Sequence, residues 1–250
     1  MKFPKNVQCY CCEQIATTSD HIPPKCFFPE KKYLPNGSPD YKSDLITVPS
    51  CPEHNNLRSK DDEYTAAVIA MNSESELSSS IFKSKWVKTL SRREGVLGKR
   101  IFSTAEPVKV VSVKNGLFIL YETLVISYEI ERINRVIESI VRALYYRESG
   151  YREKWIKKCI IISQKFLEED LSYPQNFSLL DQIIKSFIYG EKHQELGLSK
   201  KGSHPEVFYY QILKRRNEYS IIRMVFYGDF TFLAILPEKD TRFNRLILAI

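Results

Sequence analysis

Apolar and polar positions change their spacing several times along this chain, and each change marks an expected element. From Ser59 the pattern turns helical. Ser59-Lys60-Asp61-Asp62-Glu63 puts acidic side chains in a first turn, where the helix dipole favours them, and Ala66, Ala67, Ile69 and Ala70 extend the run. Residues 76–95 read as a second helix, with Leu77, Ile81, Phe82, Trp86 and Leu90 as its apolar positions. Val108–Val113 and Leu117–Tyr121 flank Asn115-Gly116, a hairpin turn signal. Over 130–146, Ile133, Val136, Ile137, Ile140, Val141 and Leu144 form one apolar stripe, the mark of an amphipathic helix. A further helix is expected over Ser178–Phe187. An antiparallel meander is expected from Val207–Leu213, Tyr219–Phe226 and Asp229–Leu236, with turns near Asn217 and Gly228. No internal repeat or low-complexity segment interrupts the pattern. Residues 1–60 show no such period. They are rich in Pro, Cys, Asp and Asn and cannot build a large apolar core, so something else must hold them together.

The expected fold class is therefore α+β, a small metal-stapled module followed by a mixed helix and antiparallel-sheet domain. Its segments are 1–72, a basic helical connector 73–105, and 106–250, whose role the sequence does not reveal. A chain of 250 residues can be one large domain or two smaller ones. Its 43% hydrophobic and 27% charged residues are ordinary for a soluble protein, and 15 Tyr and 14 Phe more often fill cores than stack on bases. No apolar run approaches the roughly 20 residues that span a bilayer. The opening Met1-Lys2-Phe3-Pro4-Lys5-Asn6 lacks the apolar stretch of a signal peptide. A soluble, cytoplasmic protein with no membrane partner is the expectation.

Charge adds a partner class. The net charge of +7, with pI near 9.0, favours an acidic partner. Its distribution is uneven: residues 1–72 hold 8 Lys+Arg against 9 Asp+Glu, residues 73–105 hold 7 against 3, and residues 106–250 hold 22 against 18. The basic excess is densest just after the cysteine-rich segment. Lys85, Arg92 and Arg93 there, and Lys60 before them, are candidate contacts to nucleic-acid phosphates, with a solvated helix face as the competing reading.

Six cysteines in a chain without an export signal argue against a disulfide framework. Cys9-Tyr10-Cys11-Cys12 and Cys51-Pro52-Glu53-His54 form two knuckles, each offering two soft or borderline ligands on one tight turn. Together Cys9, Cys12, Cys51 and His54 complete a tetrahedral structural Zn²⁺ site. Cys11 competes, but the two-residue gap favours Cys9 and Cys12. Cys26 and Cys159 read as packing cysteines.

Between the knuckles lies Ser19-Asp20-His21-Ile22-Pro23-Pro24-Lys25, and after them Asn55-Asn56-Leu57-Arg58-Ser59-Lys60-Asp61-Asp62. In this order, from residue 9 to about 64, the motifs resemble the HNH (ββα-metal) endonuclease family in its zinc-knuckle form. The resemblance implies that His21 is the general base, that Asp20 and Asn55 ligate one catalytic Mg²⁺ or Mn²⁺, and that Asp44 stands where the family's middle asparagine orients the histidine. An Asp at that position is a departure, and it implies a raised His21 pKa. The residue types suit the chemistry on their own account. Phosphodiester hydrolysis needs a base near neutrality and a hard cation with oxygen ligands.

Three functions follow. The leading expectation is a DNA endonuclease, with a role in bacterial defence implied by family habit. An RNase would use the same base and metal. A zinc-stabilised module that binds nucleic acid or protein without turnover would keep the knuckles alone. Taken singly, Asp20-His21 would read as a turn residue and a structural histidine, and Asn55-Asn56 as helix punctuation. His193 and His204 belong to no constellation. The aromatic meander is expected to place substrate, to oligomerise or to dock a regulatory protein.

Overall fold

The computed structural model describes residues 3–56, 58–92, 95–114, 117–163, 198–215 and 219–237. The helix expected over 178–187, and the turns at Asn115-Gly116 and Asn217, lie outside these residues. The fold is α+β, as the periodicities indicate.

The first ordered pair is β1 (Thr18–His21) and β2 (Thr47–Ser50), antiparallel, with Asp20 opposite Val48 and His21 opposite Thr47. One residue after β2 begins α1 (Pro52–Asn56). Pro52 suits a first helical position, where its missing N–H costs nothing. Next comes α2 (Ser59–Asn72), in which every residue from Tyr64 to Ala70 is buried. Such a helix is central rather than amphipathic, and its alanines let neighbouring elements approach closely.

The stretch expected as one helix over 76–95 is α3 (Glu76–Ile81), a π-helical turn (Phe82–Trp86) and α4 (Val87–Leu90). Ile81 and Trp86 are both buried although they stand five residues apart. An α-helix would point them well apart, and the wider π turn brings them to one side. A separate α5 (Val96–Phe102) follows Gly95, whose φ of 73° is the left-handed conformation that glycine adopts freely. Then β3 (Glu106–Lys114) pairs antiparallel with β4 (Leu117–Val125), a longer hairpin than the apolar pattern indicated.

The stripe read from sequence becomes α6 (Ile130–Glu148), and Ile133, Val136, Ile137, Ile140, Val141 and Leu144 are all fully buried. It packs on α2, where the buried Arg132 donates to Asp61 Oδ1 at 2.5 Å and to the Lys60 carbonyl at 3.1 Å. The meander forms β7 (Phe208–Arg215), β8 (Tyr219–Phe226) and β9 (Phe230–Pro237), flanked by β5 (Ile160–Ser163) and β6 (Lys201–His204). All are antiparallel, in the order β5-β9-β8-β7-β6. Tyr227 (φ 51°) and Gly228 (φ 87°) make the tight turn expected near 228.

One contiguous core runs from Cys9 and Tyr10 through α2 and α6 to Phe232 and Leu236. Hydrogen bonds cross between its first and last parts: the buried Tyr227 hydroxyl donates to the Phe27 carbonyl at 2.6 Å, and Lys154 donates to the Cys12 carbonyl at 2.6 Å. Residues 1–72 thus share their core with the sheet rather than burying one alone. Among the described residues no helix is long and apolar enough to cross a membrane.

Candidate zinc centre and active site

The knuckles converge. One donor atom from each of Cys9, Cys12, Cys51 and His54 lies within 4.8 Å of the others. Cys51 Sγ is 3.1 Å and Cys9 Sγ 3.8 Å from His54 Nδ1, and Cys12 and Cys51 Sγ are 3.9 Å apart. Donors at tetrahedral corners with Zn–S near 2.3 Å would sit roughly 3.5–3.8 Å apart, so the set fits zinc in number, type and spacing. The Cys11 N–H points at Cys9 Sγ at 3.5 Å, the knuckle pattern that stabilises a thiolate. Burial pushes the Cys9 thiol up, but the backbone amides of Cys11, Cys51 and Cys12 outweigh it and leave the thiol below its ordinary value. Cys12 is pushed up to about 11, by burial and then by the crowding Cys9 and Cys51 thiols. Cys11 stands outside the cluster. From the far side, Tyr146 on α6 donates to the Gln8 carbonyl at 3.2 Å and fixes the first knuckle.

Of the residues expected in the active site, His21, Asp20 and Asn55 gather at the β1–α1 seam. Strand alternation buries Asp20 and leaves His21 half-buried on the opposite face. The Asn55 carboxamide reaches the Ser19 carbonyl in a long contact of 3.5 Å, which sets it beside Asp20. The His21 imidazole makes no hydrogen bond with any described residue. Burial, and then the nearby Lys25 cation, hold its imidazole below the usual 6.5.

That direction corrects the effect expected of Asp44. Asp44 is exposed, at φ 51°, and β6 holds it through the Ser203 hydroxyl, which donates to its carbonyl. Beside it His204 Nε2 donates to the Ser43 carbonyl at 2.9 Å. Among the described residues nothing joins Asp44 to the His21 ring, and no carboxylate raises the pKa of that ring.

Asp20 belongs to a buried network that sequence reasoning missed. Its Oδ2 accepts from Arg58 at 2.8 Å and from the Tyr10 hydroxyl at 3.0 Å, and Tyr10 also meets Ser139 on α6 at 2.9 Å. Burial raises the Asp20 carboxyl, while Arg58 and Tyr10 pull it back. Asp62, one helical turn after Arg58, has a buried Oδ1 with no hydrogen-bond partner, and burial pushes it up to about 7. Oxygen donors for a hard cation are therefore present in kind: the remaining Asp20 oxygen, the Asn55 carboxamide and the Asp62 carboxyl.

The basic residues divide. Lys85 is buried, and its ammonium donates to the Cys26 carbonyl at 2.5 Å and lies 4.4 Å from the centre of the Trp86 ring. This corrects its reading as a phosphate contact, because a buried, already bonded ammonium cannot neutralise a phosphate in solvent. Arg93 lies outside the described residues. Lys60 and Arg92 are exposed and make no ion pair with any described residue. Both line a pocket of about 320 Å³ with Arg100 and Arg132. A second pocket, of about 270 Å³, shares Arg92, Thr89 and Glu63 with the first and extends to Lys25, the neighbour of His21. The two adjoining pockets thus form a track that carries Lys25, Arg92 and Lys60, with Glu63 between them. Comparison of the chain with family models, with curated proteins and with solved structures finds no match.

Proposed function

We propose that this chain is an HNH-type endonuclease that hydrolyses phosphodiester bonds in DNA, with β1, β2 and α1 as its ββα-metal unit and zinc as the staple holding strand to helix. The observation that carries this reading is His21: a half-buried imidazole kept neutral by burial and Lys25, with no hydrogen-bond partner among the described residues, at a strand end fixed by a Cys/His cluster. A half-buried ring left unbonded and uncharged is free to take a proton from water. A bound Mg²⁺ or Mn²⁺ would neutralise the charge that builds on the phosphate. The chain's own part is to offer it Asn55 and the Asp20 oxygen not bonded to Arg58, while Arg58 and Tyr10 hold the carboxylate in place.

The same Arg58–Asp20 pair favours a second reading, a zinc-stabilised binding module, because a carboxylate already matched by a guanidinium has less need of a cation. Plasmid DNA and total RNA incubated with the protein decide between them. The expected result is DNA nicking that needs Mg²⁺ or Mn²⁺ and stops with EDTA, with zinc content measured afterwards to exclude loss of the staple. RNA cleavage alone would make the chain an RNase. DNA retained but uncut with either metal would leave the binding module.

Lys60 and Arg92 are assigned to the DNA backbone. Lys60→Ala combined with Arg92→Ala is expected to weaken DNA binding and to make the slope of log K against log salt shallower by roughly 2, since each lost contact removes about 0.9. An unchanged slope would take the DNA off this track.

A further inference from the structure

The second pocket, of about 270 Å³, gathers more positive charge than the chain neutralises there. Five cations line it, Lys25, Lys32, Lys42, Lys85 and Arg92. Only Glu30 and Glu63 oppose them, so the wall carries a net charge of +3. Glu30 is spent within the set, accepting from Lys32 at 2.6 Å and from Lys42 at 3.3 Å. Lys25 and Arg92 are exposed and make no ion pair with any described residue.

Two of the lining side chains are buried. Lys85 is 9% exposed, and its ammonium stays on the Cys26 carbonyl and over the Trp86 ring. Burial holds that ammonium below its ordinary value, and the Lys42 cation adds to the effect. Trp86 is 1% exposed, and its indole N–H bonds to no described residue. A buried donor without a partner is costly, and an indole N–H can be completed only by an acceptor. The cations around it select an acceptor that carries negative charge.

We propose that this pocket binds a phosphomonoester, with Lys25, Lys42 and Arg92 gripping its oxygens and the Trp86 N–H completing the set. This inference does not depend on the nuclease reading. A phosphomonoester brings roughly two negative charges and three acceptor oxygens, more than a carboxylate or an internal phosphodiester can offer to a wall of this charge. Lys85 keeps to the Cys26 carbonyl and lends its charge without touching the ligand. The volume falls just below the roughly 300–1,000 Å³ of small-molecule sites, enough for a phosphate and the group next to it. A free nucleotide and the phosphorylated end of a nucleic-acid strand present the same chemistry.

Calorimetry on the full, zinc-loaded chain without added divalent cation tests this in two arms. One compares a nucleoside 5′-monophosphate with its nucleoside, the other a 5′-phosphorylated oligonucleotide with its 5′-hydroxyl form. The phosphorylated partner is expected to bind at least about tenfold tighter in one arm or both, and the arm that shows it names the source. Lys42→Gln is expected to remove most of that preference, and Trp86→Phe to weaken it, with zinc content unchanged. Lys42 lies outside the core, so its variant carries the test even if Trp86→Phe melts early. Equal affinity within both pairs, or a preference that survives Lys42→Gln intact, overturns the proposal.

Discussion

Cys51→Ser is expected to release zinc and to unfold the chain well below the melting temperature of the wild type. Thirty-eight residues separate Cys12 from Cys51, and a zinc ion held by Cys9, Cys12, Cys51 and His54 would tie the two segments together. A structural zinc contributes an apparent binding free energy of about 10–16 kcal/mol in small peptides, and a whole domain is stable by only about 5–15 kcal/mol. Losing most of the first term therefore exhausts the second. The damage should not stop at residue 72, because Cys9, Cys51 and Tyr10 belong to the same core as α2, α6 and the sheet. A strong chelator should have the same effect on the wild type, and elemental analysis with thermal melts measures both. Cys11→Ser is the control: its thiol stands outside the cluster, so that variant should keep one zinc per chain. Folded wild-type protein without zinc, or a Cys51→Ser protein with full zinc content, would end the assignment.

Elements with a sustained period were legible from sequence. The stripe from Ile133 to Leu144 became α6, and the meander became β7, β8 and β9, because burial of one face or of whole strands leaves a repeating mark. β1 and β2, four residues each, are too short to show a period, and no spacing in the sequence located them. Lys85 shows the converse failure. Its charge placed it on a surface, but the π turn carries it into the interior beside Trp86, and no helical spacing in the sequence announces a π turn.

In the site, ligand spacing was enough for the zinc cluster, since each knuckle is a local turn. The network around Asp20 was not legible for the opposite reason. Tyr10, Asp20, Arg58 and Ser139 are separated by up to 129 residues, and no spacing in the chain links one to another. Asp62 read as an ordinary first-turn acid, and only packing leaves its oxygen buried and unbonded. Lys25 stood in the quoted motif, but nothing in the sequence showed that its cation acts on the charge of His21.

His21→Ala is expected to abolish DNA cleavage while fold, zinc content and DNA binding stay near wild type. The imidazole is half-buried, lies outside the zinc cluster and bonds to no described residue, so its removal should cost the fold no more than about 1 kcal/mol. Loss of a general base slows a reaction roughly 10²–10⁴-fold, which a plasmid assay reads as inactivity. The pH profile separates a base from a structural histidine. Only the neutral ring accepts a proton, so activity should fall on acidification with an inflection below 6.5, the direction set by burial and by Lys25. Lys25→Gln removes the neighbouring cation, makes the ring easier to protonate and should move that inflection up. Asn55→Ala should also slow cleavage, and raised Mg²⁺ or Mn²⁺ should partly restore it, because the defect is in holding the cation. Asp20→Asn is a safer probe than Asp20→Ala, which would strand the Arg58 guanidinium in the interior. No concentration of cation should rescue His21→Ala. A His21→Ala protein that cuts at the wild-type rate would remove His21 from the chemistry, and the nuclease reading with it.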